Sequence, residues 1–235
     1  GGMVGASRAI VDAGWIDVFE NEGKTSGAYS FGSFDSMPYI LLNHSNKLKD
    51  VFTLVHEMGH SMHSYYTRGT QPFVYGGHSI FTAEVASTVN ECLLMDHLIR
   101  NSKDELEKKY LLNLYIEEFR TTLFRQTMFA EFEQMTHAAV EAGEALTPDW
   151  LKQEYLALNR KYFGDEVFYD DEIAMEWSRI PHFYNAFYVY KYATGYSAAV
   201  ALSKRILTEG KPAVEAYLSF LRSGESDYPI RLLQQ

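Results

Sequence analysis

Val51-Phe52-Thr53-Leu54-Val55-His56-Glu57-Met58-Gly59-His60-Ser61-Met62-His63-Ser64 decides how this chain is read. It contains H-E-x-x-H, at His56, Glu57 and His60, inside a segment whose apolar spacing predicts a helix. Two histidines four residues apart share one helical face, so both imidazoles can reach one Zn²⁺ ion. Glu57 projects beside them, where a carboxylate can hold and deprotonate a water. Asp50 is the expected N-cap, and the helix should run to about Tyr66 with Val51, Leu54, Val55, Met58 and Met62 on its buried side.

A catalytic zinc site needs a third protein ligand and an open position. Glu84, His63, His78, Glu91 and Asp96 are the available groups. Glu84 follows a Gly-rich turn (residues 69–78) and opens a second helix, Phe81–Arg100, that can fold back beside the first. A straight helix separates His56 from His63 by about 10 Å along its axis, so one ion can hardly bond both together with His60. Spacing therefore favours Glu84 over His63, which becomes a cleft-lining or supporting residue. Glu91 lies two turns beyond Glu84 on the same face and is suited to orienting a histidine through its other ring nitrogen.

Working outward, residues 25–46 are short, aromatic and punctuated by turn residues, which predicts strands Ala28–Phe31 and Tyr39–Leu42 in a small antiparallel ribbon. A short helix is expected around Ala6–Phe19. Downstream, Lys103–Glu141 reads as one long helix or two in series. Thr147-Pro148-Asp149 opens another that ends near Gly164, and residues 165–180 are irregular and acidic. Pro181 is expected to start a helix reaching about Glu209, followed by a short one at Pro212–Arg222. Within the first of these, Tyr184, Tyr188, Tyr192 and Tyr196 fall at steps of four, a stripe on one helical face. The expected fold is mainly α with a small β element, in one domain spanning residues 1–235.

Composition narrows the function classes. Of 235 residues 46% are hydrophobic, enough for a sizeable core. A formal charge of −10 argues against nucleic acid and anionic membrane surfaces, which select basic faces. The one cysteine, Cys92, permits no intrachain disulfide and points to a reducing compartment, the cytoplasm. No apolar run approaches a membrane span, and Gly1-Gly2-Met3-Val4 lacks the basic start of a signal peptide.

Several words of the chain together resemble the oligoendopeptidase F branch of the thimet oligopeptidase family of zinc peptidases. They are Gly14-Trp15-Ile16-Asp17-Val18, Ser26-Gly27-Ala28-Tyr29-Ser30, Pro38-Tyr39-Ile40-Leu41-Leu42-Asn43, the zinc helix from Val51 to Ser64, and Phe81-Thr82-Ala83-Glu84-Val85-Ala86-Ser87-Thr88. The last block is Ile180-Pro181-His182-Phe183-Tyr184, continuing through Phe187 to Gly195. The resemblance implies a helical zincin-like catalytic domain and hydrolysis of internal bonds in short peptides. It implies one zinc held by His56, His60 and Glu84, with Glu57 as general base. It assigns His182 to the substrate and its oxyanion together with tyrosines of the late helix, best matched by Tyr188 and Tyr192, with Tyr184 and Tyr190 as alternatives. It makes Gly76-Gly77-His78 a loop over the site. Family members are more than twice as long, with an N-terminal helical region and further C-terminal helices, so this chain reads as their catalytic portion. Two other readings are a related metallocarboxypeptidase, which would need a cation such as Arg68, Arg179 or Lys191 for the terminal carboxylate, and a peptide- and zinc-binding module without turnover. In the endopeptidase reading, the strand around Ser26–Ser30 offers an edge to an extended substrate backbone.

Overall fold

A computed structural model describes Arg8 and residues 10–234. They divide into two compact units: one gathers the residues up to Leu111 with those from Gly195 onward, and the other is Leu112–Thr194.

Among the described residues of the first unit, a helical turn at residues 10–12 ends at Gly14, whose φ is 73° and whose N–H donates to Val11 O. The expected helix therefore stops short of Phe19; its residues 6, 7 and 9 lie outside the described ones. In its place Ile16–Asp17 forms a strand, β1. With β2 (Tyr29–Phe31) and β3 (Tyr39–Leu41) it makes a sheet of order β1-β3-β2. β2 pairs antiparallel to β3, Ser30 opposite Ile40, as expected for a ribbon. The addition is β1, parallel to β3 with Ile16 opposite Ile40; a two-residue strand carries no alternation to read.

Helix α1, Leu48–Arg68, carries the H-E-x-x-H stretch, and α2, Ile80–Asn101, starts after Ser79. Asp50 stabilises the start of α1 from its first turn, not as the N-cap, which is Lys47. Its carboxylate accepts from the backbone N–H groups of Ser45 and Lys47 and from the Ser45 hydroxyl, and these bonds lower its pKa to about 2. Val51 is exposed, while Met62 is buried with Ile10, Ile40 and Leu42 in a core beneath the sheet, flanked by Leu54 and Met58.

α1 and α2 cross at Gly59. A Cβ there would lie 2.4 Å from Ser87 Cα and 2.7 Å from Ala86 O, so only glycine admits this approach. Val85, Ala86 and Val89 of α2 pack with Tyr217, Phe220 and Leu221 of a late helix, Lys211–Ser223, and with Leu232 of the last, Pro229–Leu233.

Of the two arrangements expected for residues 103–141, the two-helix one forms: α3 (Glu105–Glu118), which runs from the first unit into the second, and α4 (Arg125–Glu141) in the second, joined by a π-helical stretch at Phe119–Phe124. α5, Pro148–Phe163, begins where Thr147 caps it by accepting from Trp150 N–H. Met128, Phe129, Phe132, Tyr155, Leu158, Ile180 and Val189 form the core of the second unit.

The helix expected from Pro181 to Glu209 does not form as one piece. Pro181–Tyr184 is a 3₁₀ turn, and α6 starts at Tyr190 and runs to Glu209. Between them Phe187 sits at φ 57°, which no continuing helix allows. The four-step tyrosine stripe is broken accordingly. Tyr192 and Tyr196 are helical, Tyr188 lies in the corner, and Tyr184 is 84% exposed.

Candidate metal centre and catalytic groups

Regular helix geometry places the first cluster. His56 and His60 are one turn apart on α1, and their Nε2 atoms are 3.2 Å apart. Glu84, in the second turn of α2, brings Oε2 to 3.3 Å from His56 Nε2 and 3.6 Å from His60 Nε2. These three residues form the group able to hold a metal ion among the described residues. Bonds of about 2.0–2.1 Å in a tetrahedral zinc site require ligand atoms about 3.4 Å apart, which these spacings match. The side chains are 26%, 21% and 33% exposed, which leaves a side open to a fourth ligand. Donor set, spacing and access all fit a catalytic zinc site.

Their surroundings complete the cluster. Glu91 Oε1 lies 3.3 Å from His56 Nδ1, fixing the ring through the nitrogen that faces away from the three-atom group. Ser87 Oγ donates to Glu84 O and sits 3.4 Å from Glu84 Oε2. Its spacing of three from Glu84 was the signal that could have marked it in the sequence. Burial works against a charge on His56, yet the hydrogen bonds and charges of Glu84 and Glu91 prevail and carry its pKa up to about 10. Burial would raise Glu84, but the His56 hydrogen bond and the His60 charge bring it below the ordinary carboxylate value. His60 is lowered, by burial and by the charge of His56.

Glu57 is buried on α1, and burial raises its pKa, reinforced by the negative charges of Glu84 and Glu91. Opposing this are the His56 charge and a hydrogen bond from the Ser30 backbone N–H. Ser30 is held in turn by a 2.8 Å hydrogen bond to Ser61 of α1, so strand β2 is tied to the helix that carries Glu57. Both serines fall inside stretches that carry the family resemblance, but no spacing rule pairs them.

The remaining candidates fall elsewhere. His63 is fully buried, stacked on His78 with ring centroids 3.9 Å apart; burial takes His63 well below the usual histidine value and His78 down to about 4. Gly76 abuts the Phe34 ring so closely that a Cβ would meet it at 2.5 Å. Asp96 pairs with Arg100.

The second cluster lies within the other unit. His182 Nε2 and Tyr192 Oη are 3.2 Å apart, and the Tyr188 ring is 5.6 Å from that of Tyr192 and 5.8 Å from that of His182. The three residues named from the sequence thus share one cluster. Lys191 Nζ lies over the Tyr190 ring, 6.0 Å from its centroid.

Among the described residues no helix is long and apolar enough to cross a membrane. The family model described as Peptidase family M3 matches residues 3–235. Oligopeptidase PepF of Bacillus subtilis is 58% identical over 221 residues, 94% of this chain and 33% of that protein. An oligoendopeptidase F homolog of Lactococcus lactis is 49% identical over 97% of this chain and 38% of its own length. The crystal structure of oligoendopeptidase-F from Enterococcus faecium superposes with a TM-score of 0.71 at 49% identity, covering 80% of this chain and 34% of that one. PZ peptidase A, at 24% identity and a TM-score of 0.76 over 100% of this chain and 42% of its own, shares the fold. The chain spans about a third of the length of the curated relatives it matches. A family model matched from residue 3 to the last residue, with relatives at up to 58% identity, makes this chain a member of peptidase family M3.

Proposed function

We propose that this chain carries the catalytic domain, residues 1–235, of a zinc-dependent oligopeptidase that hydrolyses internal bonds of short peptides in the cytoplasm. One observation carries the reading: two imidazole nitrogens and a carboxylate oxygen stand 3.2–3.6 Å apart on two helices, with the buried Glu57 between the two histidines in sequence. His56, His60 and Glu84 are the residues that would hold the ion, one per chain. Bound there, zinc would supply a Lewis acid for the water and the scissile carbonyl.

The chain's own groups do the rest. Glu57, its basicity increased by burial, takes a proton from the attacking water and returns it to the leaving amine. Glu91 keeps the His56 ring from rotating. His182, Tyr188 and Tyr192 are assigned to the substrate and its developing oxyanion, for which a phenolic O–H or an imidazole N–H is a suitable donor. β2 is an edge strand of its sheet and can pair with an extended peptide backbone. Such pairing reads main chain more than side chain, which suits varied short peptides.

A carboxypeptidase reading is less well supported, because two of its three cations are committed. Arg68 donates to Gly32 O and Ser33 O, and Arg179 pairs with Glu176.

The test is hydrolysis of an internally quenched peptide blocked at both ends, with and without chelator. Cleavage that chelation abolishes and zinc restores is expected. Cleavage insensitive to chelation, or confined to peptides with a free C-terminus, would overturn the proposal.

A further inference from the structure

Phe187 is a bulky side chain in the left-handed region, at φ 57°, a conformation that persists only where its surroundings impose it. Two residues one turn apart on α4 impose it. Glu133, buried at 5% exposure, accepts the Phe187 N–H on Oε1 at 2.7 Å. His137 lays its ring against that of Phe187, with centroids 4.6 Å apart. No step of the mechanism above uses Glu133, yet it is a buried carboxyl group spent on a single backbone N–H.

The position of that corner gives the contact its meaning. His182 lies in the 3₁₀ turn before it, Tyr188 directly follows Phe187, and Tyr192 lies in the first turn of α6 after it. Without the reversal at Phe187, the chain cannot bring His182 Nε2 back to 3.2 Å from Tyr192 Oη, ten residues later.

We infer that Glu133 is a positioning residue: by holding the left-handed corner at Phe187, it sets the spacing of His182, Tyr188 and Tyr192. The inference rests on the proposed role of that cluster in peptide hydrolysis, and it makes Glu133 act through backbone geometry and not through its charge.

Three variants separate these terms. Glu133→Gln keeps a carbonyl oxygen at the same reach, Glu133→Asp keeps the charge but withdraws the oxygen by one methylene, and Glu133→Ala removes both. Expected is a fall in kcat of about tenfold or more in the Asp and Ala variants, with KM within about twofold and Gln close to the parent. The imidazole nitrogen shifts of His182, read by NMR, should move in the Asp and Ala variants and stay in place in Gln. That second readout needs no turnover, so it decides the inference even if chelation or Glu57→Gln experiments remove the peptidase reading. A Glu133→Asp variant that keeps parental kcat and His182 shifts would overturn it. So would a Glu133→Gln variant that loses both.

Discussion

The metal cluster and the His182 cluster are built by opposite means. His56, Glu57 and His60 lie within five residues of a 21-residue helix, and Glu84 and Glu91 share a 22-residue one. Every member is placed by the helical repeat, so its location follows from counting. His182, Tyr188 and Tyr192 occupy a 3₁₀ turn, a corner and a helix start, and their meeting depends on one residue at φ 57° and a carboxylate 54 positions earlier. A regular scaffold makes a site tolerant of distant change, whereas a corner makes it hostage to a single hydrogen bond.

The sharpest way to break the comparison is Glu57→Gln. The amide keeps size and helix propensity but cannot accept the proton, so turnover should fall by about 10²- to 10⁴-fold while zinc stoichiometry stays at one per chain. A variant with parental kcat would remove Glu57 as base; loss of zinc would mean that the scaffold does not hold its ligands independently of Glu57.

Next in size is Glu91→Gln. With the carboxylate on His56 Nδ1 weakened to an amide, zinc affinity should drop by about 10- to 100-fold, read by competition with a chromogenic chelator. Unchanged affinity would show that the helix alone orients His56.

These two changes also mark where the sequence was legible. H-E-x-x-H and the later Glu84 could be placed because a 3.6-residue period converts spacing into direction. The same rule misled at Pro181–Tyr196, where it projected a tyrosine stripe through residues that turn a corner. No local signal marks Phe187 as left-handed, since the residue type is unfavourable there and its stabilisation comes from Glu133, distant in sequence. Strand β1 was hidden for a simpler reason: two residues show no alternation. Asp50 reads from the sequence as the N-cap but serves from the first turn, because an acceptor at either position leaves a similar trace in sequence.

A smaller effect tests how rigid the regular scaffold is. Gly59→Ala gains about 1 kcal/mol of helix propensity, but its methyl must fit where Ser87 Cα lies 2.4 Å away. Overpacking against backbone costs about 1–3 kcal/mol and cannot be relieved by rotating a side chain, so the net change should be destabilising. Denaturant unfolding measures it, and a more stable variant would show that α1 and α2 can slide apart at their crossing.

The smallest expected effect concerns the second unit and is a change of slope. Glu176 is buried with Arg125, Arg179 and the Tyr155 hydroxyl around its carboxylate. Burial alone would raise its pKa, but the hydrogen bonds from Arg125 and Tyr155 and the charges of both arginines hold it below the ordinary 4.5. A carboxyl group depressed in the folded state contributes stability that is fully present above its unfolded pKa and is lost as pH falls through the folded one. The unit should therefore weaken below about pH 4.5, and Glu176→Gln should remove part of that dependence. Hydrogen exchange of α5, which carries Tyr155, reads this locally: the gap in protection between parent and variant should be widest near neutrality and narrow as the pH drops. A gap that is constant with pH would mean that the variant acts through packing alone.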